Sequence, residues 1–414
     1  MKKADREALA KRREEGHMTD VSAAMLRIIG ASLHGSPCGP VPPEEWSAVF
    51  GELCDQAVQC IPAASMNSLG LKGEDALSYL QVLTENLRRC RTVMNEQKRA
   101  LECLDRAGIP AAVLKGAASA MYYPHPEHRC MGDIDLIVPG SRFEEAFHAL
   151  SACGYTPEQT PDAYDRHIGF ASPSGIEVEL HDRFSAGGSA EQNAALDRYI
   201  LGGIEKRVYQ SMEGCSIPVL PAFENGLVLL SHINQHLCSG LGLRQIIDWA
   251  MYVERELDDA LWERFAPAAE EIGLKRLALA LTRMCAGYLG LKTDAVWFLE
   301  TEDTEIGEQL MEYILSHGDF SRVDRTGATS VNVIRLFRNP VKALRRAQQR
   351  GLREWKLCGK HPVLKPFAWM YQLLSWARNG LKQGVGVSSL REYASREQQE
   401  TEFLNRLGVT RHSL

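Results

Sequence analysis

An α+β fold, with a small mixed β-sheet core flanked by N- and C-terminal helical regions, is what this 414-residue sequence predicts. Three observations predict it. Apolar residues at helical spacing fill both ends, short apolar runs separated by turns fill the middle, and no repeat of fixed period links them. The length exceeds the roughly 250 to 300 residues at which a single core stops growing, so several packed units are expected. We divide the chain into an N-terminal helical region (1–95), a sheet-containing core (96–185), a helical domain (186–330) and a basic, aromatic C-terminal helical region (331–414).

The elements follow in order. A charged, helix-like start runs into the Gly/Pro loop HGSPCGPVPPEEW, and Glu44 to Gly70 resumes a helical period. Glu74 to Ala107 carries no Gly or Pro and spaces Leu77, Leu80, Leu83 and Leu87 helically, so it predicts one long helix or a kinked pair ended by Gly108. Four strand-like runs come next: Ala111 to Leu114, Ile134 to Val138, Ile168 to Phe170 and Ile176 to Leu180, with a helix over Arg142 to Ala152. The turn Ser172-Pro173-Ser174-Gly175 makes the last two an antiparallel hairpin. From Ser189 onward the chain reads helical apart from the strand-like IPVLP, with a break expected near Pro267.

Composition excludes several classes. With 45% hydrophobic and 24% charged residues the chain is an ordinary globular protein rather than a disordered or fibrous one. A net charge of −6 argues against indiscriminate nucleic-acid binding. The eleven cysteines include no C-x-x-C pair, which suits neither a disulfide framework nor structural zinc. The charged N-terminus lacks the apolar stretch of a signal peptide, and no run of about 18 apolar residues occurs, so we expect a cytoplasmic protein without a transmembrane segment.

The chemistry is concentrated in VLKGAASAMYYPHPEHRCMGDIDLIV, residues 113–138, followed some forty residues later by IEVELHDRF. On a strand, Asp133 and Asp135 share one face while Ile134 and Leu136 enter the core. Two adjacent carboxylates repel unless a cation lies between them. Phosphoryl transfer with divalent ions is one reason to build such a pair, and oxygen ligands suit Mg2+ or Mn2+. The other reading is an acidic pair at a solvent-facing strand edge. A third carboxylate is needed on a neighbouring strand, and IEVELH offers Glu179, with Glu177 as the fallback. Lys115-Gly116, after the first strand and before a helix-compatible segment, suggests a phosphate cradle.

Taken together these motifs resemble the uncharacterised bacterial nucleotidyltransferases of the DNA polymerase β-like superfamily. The resemblance lies in the Lys-Gly turn, an aromatic with proline, an arginine, Gly-Asp-Ile-Asp-Leu, VELHDRF and HINQHLCSGLGLRQIIDWA, and it covers roughly Leu69 to Leu289. It implies a two-metal site with Asp133, Asp135 and Glu179 as ligands and catalytic groups. It also implies that Lys115 and Gly116 lie near the triphosphate, with Gly132 beside them and Arg129 at the mouth. One departure is plain: the superfamily generally places Gly-Ser ahead of the acidic pair, where Lys115-Gly116 stands here. His181 follows the third acid and serves either to orient a carboxylate or hydroxyl or as a strand-end residue.

Other candidates complete the reading. His232 and His236 stand four apart on a helix, but Ile233 replaces the glutamate of an H-E-x-x-H zinc site. Arg244 and Asp248 are expected to pair and join the helical domain to the sheet, the alternative being a substrate-facing Arg244. Residues 335–382 hold twelve Lys or Arg against one acid, Glu354, interleaved with aromatics, a pattern that suits an anionic membrane or RNA as well as a plain solvated helix. The expected activity is transfer of a nucleoside monophosphate from an NTP, such as ATP, to a hydroxyl of an unidentified acceptor. Rival readings are a non-catalytic nucleotide-fold module and a membrane or RNA adaptor. All three carboxylates are expected to face solvent, so that losing one stops turnover and spares the fold.

Overall fold

The computed structural model describes residues 19–158, 160, 167–184, 188–212, 214–237, 240–300 and 305–317. It also describes 344–345, 347–348, 351–352, 355, 357–358, 361–382, 398–399 and 401–409. The chain divides into two compact units, one of residues 1–321 with 407–414 and one of 322–406. In the first unit α1 (Asp20–Leu33) and α2 (Pro43–Asp55) precede the long α3 (Gly73–Arg106). Thr19 caps α1 by accepting from the Ser22 amide at 3.1 Å, which satisfies an otherwise orphaned helix-start donor.

α3 is one continuous helix whose second half packs the sheet core, while in its first half Tyr79 is buried against Trp46 and Phe50. Cys90, Val93, Met94, Ala100, Leu101 and Leu104 are buried under the sheet, whereas Leu77, Leu80 and Leu87 of the predicted leucine stripe are exposed. The strands are β1 (Ala112–Leu114), β2 (Ile134–Ile137), β3 (Thr156–Pro157), β4 (His167–Ala171), β5 (Glu177–His181), β6 (Val208–Met212) and β7 (Cys215–Val219). They form one mixed sheet in the order β3-β4-β5-β2-β1-β7-β6. β4 and β5 are the expected antiparallel hairpin, and β2 runs parallel to β5. Between strands lie the one-turn α4 (Gly116–Ala120) and α5 (Phe143–Ala152), whose Phe143, Ala146, Phe147 and Leu150 are buried in the same core.

The helical part of this unit comprises α6 (Ala190–Ile204), α7 (Ala222–Leu237), α8 (Leu243–Arg255), α9 (Asp259–Glu271), α10 (Lys275–Tyr288) and α11 (Ile306–His317). Ser189 and Gln192 form a reciprocal capping box at the start of α6. Trp249 and Phe265 are fully buried, each worth about 1.5 to 3 kcal/mol of transfer free energy, and the Trp249 indole donates to Thr282 Oγ1 at 2.9 Å. The expected break at Pro267 does not occur there: the proline sits inside α9. The chain turns instead at Gly273, whose φ of +75° suits a residue without Cβ, and Leu274 N closes the helix on Ala269 O at 2.7 Å.

The cysteine expectation also needs correcting. Cys103 near the end of α3 and Cys153 after α5 are joined in a disulfide, 50 residues apart in sequence. Spacing could not reveal it, because packing of α3 beside α5 brings the thiols together. No described helix is long and apolar enough to cross a membrane. Residues 1–18 lie outside the described residues, as do 335–343 and 346, 349–350, 353–354, 356 and 359–360 of the basic stretch. In the second unit α12 (Ala368–Lys382) follows a 3-10 turn, and Trp355 stacks on Tyr371 with ring centroids 5.1 Å apart.

Candidate active site

β2 is the central, fourth strand of the seven-stranded sheet, with β1 on one side and β5 on the other, so its register fixes the site. Asp135 lies opposite Leu114 across the antiparallel pair and opposite Glu179 across the parallel pair. Asp133 stands just ahead of the strand. The ligand oxygens of Asp133, Asp135 and Glu179 all lie within 4.8 Å of one another. Glu177, two residues earlier on the same face as Glu179, is exposed, pairs with Ala171 and is not part of this trio.

Lys115 enters from the turn between β1 and α4. Its Nζ lies 2.7 Å from Asp135 Oδ1, and its backbone has φ +51° and ψ −146°, a conformation that residues with a Cβ rarely adopt. Burial opposes the ammonium charge, but Asp135, Asp133 and Glu179 outweigh it and raise the pKa above its ordinary value. α4 spans only five residues, so Lys115 rather than a helix dipole supplies positive charge here.

Asp135 is 2% exposed, which corrects the expectation that every carboxylate faces solvent. The physical reason is position: a strand flanked on both sides is covered, and Lys115 and His181 close over the side chain. Burial pushes the Asp135 carboxyl up, yet Lys115 and the His181 hydrogen bond together hold it well below the usual carboxylate range. His181 Nε2 donates to Asp135 Oδ1 at 3.1 Å and lies 3.3 Å from Glu179 Oε2. Burial opposes the His181 charge, but these two carboxylates raise its pKa. Asp133 is exposed and Glu179 partly buried.

These groups line a cavity of about 330 Å³ that also includes Gly116, Gly132 and Arg129. Arg129 is turned away from a free role, its guanidinium donating to both oxygens of Asp248 at 2.7 and 2.6 Å. Asp248 therefore pairs with Arg129 rather than with Arg244, and Tyr123 OH adds a third bond at 2.8 Å. The tie between helices and sheet exists, but across sequence rather than within one helix face. Arg244 reaches back to Cys130 O at 3.5 Å and also lines the cavity.

Sequence reasoning missed several lining residues. His167 of β4 lies 3.3 Å from Glu179, placed there by its register opposite His181. A histidine at the edge of a five-residue strand carries no signal until that pairing is known. α7 contributes His232, Gln235 and His236, and α8 contributes Gln245. The sequence offers His232 and His236 only as a zinc pair without its glutamate; here their rings meet edge to face at 4.4 Å, within the cavity wall.

Residues 43–290 match a family described as uncharacterised nucleotidyltransferases. No curated protein matches the chain in sequence. A solved structure of an antigenic nucleotidyltransferase-like protein from Paracoccidioides brasiliensis is similar at 15% identity and a TM-score of 0.28, covering 48% of this chain and 94% of that one. At that distance the likeness decides nothing about the fold.

Proposed function

The chain belongs to the uncharacterised nucleotidyltransferase family, and from that membership we propose that it transfers a nucleoside monophosphate from an NTP to an acceptor hydroxyl, with pyrophosphate leaving. The observation that carries this reading is the meeting of Asp133, Asp135 and Glu179 in a cavity that also contains Lys115 and Gly116. An all-oxygen trio fits Mg2+ or Mn2+. Asp135 gives Oδ1 to Lys115 and His181 and retains its second oxygen for an ion. A bound divalent ion would neutralise triphosphate charge and orient the attacking oxygen.

The chain's own residues do the rest. Lys115, held as an ammonium, attracts the triphosphate and fixes Asp135. Gly116, whose φ of +41° suits a residue without Cβ, and Gly132 line the same cavity, where their backbone can meet phosphate oxygens. Glu179, flanked by His167 and His181, accepts the proton of the acceptor hydroxyl. Arg129 holds the loop ahead of β2 through Asp248.

The test is incubation of wild type and Asp133→Ala with each α-labelled NTP, Mg2+ or Mn2+, and host-cell extract. Label moving onto an extract component in wild type only, and lost on chelation, supports the transferase. No transfer with any nucleotide, together with no NTP binding by calorimetry, overturns it.

A second reading concerns the C-terminal unit. Met370, Tyr371 and Leu374 of α12 are 45%, 37% and 65% exposed at the spacing of one helix face, and Phe367 at the end of the preceding turn is 49% exposed, all within the basic stretch 335–382. Exposed apolar side chains beside basic ones favour an anionic membrane surface over RNA. Co-sedimentation with phosphatidylserine vesicles but not neutral ones supports this; equal recovery with both overturns it.

A further inference from the structure

The cavity wall made by α7 and α8 contains an amide with no partner. Gln245 is 2% exposed and lines the cavity, and among the described residues neither its Oε1 nor its Nε2 meets a hydrogen-bond partner. Buried amides are almost always paired, because an unmade bond forfeits what water supplied in the unfolded chain. The neighbouring Gln56, also buried, is half paired, its Oε1 accepting from the Leu243 amide at 3.0 Å while its Nε2 has no partner among the described residues; Gln245 lacks a partner at both atoms. Beside Gln245 the same wall presents His232, which burial, then Lys115 and His236, keep neutral. Besides the cationic Arg244, which also lines the cavity and reaches Cys130 O at 3.5 Å, this wall offers neutral hydrogen-bonding groups in Gln245 and His232.

We propose that Gln245 reads the base of the bound nucleotide, its amide oxygen and amide nitrogen pairing with an adjacent donor and acceptor on the base edge. The proposal rests on the nucleotidyl-transfer reading above. Three parts of an NTP could meet this amide. Phosphate oxygens only accept, so they would leave Oε1 unpaired. Ribose hydroxyls rotate freely and impose no planar pair. A base edge carries a donor and an acceptor side by side in one plane, which matches the amide in both polarity and shape. A base that cannot match leaves both buried atoms unpaired, and such a site rejects the wrong partner more strongly than it favours the right one.

The experiment compares wild type with Gln245→Leu and Gln245→Glu against all four NTPs and against the 2′-deoxy form of the preferred one. Nucleotide binding is read by calorimetry with non-hydrolysable analogues, so that it does not depend on turnover. Wild type should favour one base, and Gln245→Leu should lose on the order of ten- to a hundred-fold in affinity for it. The other three should change little, so the preference flattens. Gln245→Leu should also melt at a higher temperature without nucleotide, since it removes two unpaired buried atoms, whereas a Gln with a structural partner would melt lower. A base preference that survives Gln245→Leu, or a loss tracking the 2′-hydroxyl instead of the base, overturns the proposal. Wild type that binds every NTP but transfers none refutes the transfer reading while leaving the base-reading role measured.

Discussion

Arg129, in the loop ahead of β2, closes a two-point ion pair on Asp248 in the middle of α8, 119 residues away. Both side chains are at most 5% exposed. The pair therefore behaves as a buried ionic clasp between the helical layer and the loop that leads into the carboxylates. Removing one partner strands the other, at a cost of about 3 to 5 kcal/mol, whereas replacing both with apolar residues of similar volume is nearly neutral. Urea unfolding of Arg129→Met, Asp248→Leu and the double variant should give two large losses and a strong recovery. Two losses at the level of a surface pair, below about 1 kcal/mol, would show that the clasp carries little.

Asp133 and Asp135 should separate in stability though not in turnover. Asp133→Ala removes an exposed carboxylate and should change unfolding free energy by no more than about 0.5 kcal/mol. Asp135→Ala leaves the Lys115 ammonium, 13% exposed, without its 2.7 Å partner, and should cost about 3 to 5 kcal/mol. Both should abolish pyrophosphate release. Equal stability of the two variants would contradict the buried-pair account.

His232 makes a pH-dependent contribution of definite sign. Burial, Lys115 and His236 hold its pKa well below the ordinary 6.5, so below that pH the unfolded chain binds the proton and the folded one resists it. Stability is fully present above about pH 6.5 and is lost as pH falls toward the folded value, at up to about 1.4 kcal/mol per pH unit. His181 titrates in the opposite sense, but it is common to wild type and His232→Gln and cancels in their difference. Melting curves between pH 7.5 and 5 should show wild type falling more steeply than His232→Gln. Parallel curves would remove His232 as the cause.

Glycine positions give a packing test. A Cβ at Gly226 of α7 would run into the Tyr252 ring and hydroxyl of α8, so Gly226→Ala should destabilise by about 1 to 3 kcal/mol. Gly202 of α6 has nothing within 4 Å, and Gly202→Ala should be neutral or stabilise by up to about 1 kcal/mol. Calorimetric melting of the two variants should therefore shift in different directions.

What the sequence disclosed follows physical range. The long helix, the β4–β5 hairpin and the alternation around Asp133 and Asp135 depend on neighbours a few residues apart, and they were legible. β6 was not: Val208 to Ser211 are exposed along an edge strand, so burial leaves no mark on their pattern. Pro267 looked like a helix end because proline removes one hydrogen bond, yet its helix continues past it and stops at Gly273. The burial of Asp135 and the Arg129–Asp248 pair depend on strand order and on which layer lies above the loop, information that no local pattern holds. Gln245 could not be singled out at all, because a glutamine on a helix is ordinary until its surroundings are known to leave it unpaired.

The backbone of Lys115 has a consequence for anyone reusing this scaffold. Holding a residue with a side chain at that positive φ stores about 1 to 3 kcal/mol that glycine would release. A designer wanting an inert carrier could replace Lys115 with Gly and Asp135 with Leu together, relaxing the turn and removing a buried ion pair in one step. The silent protein should then be the sturdier one, and a lineage freed from its chemistry would be drawn the same way.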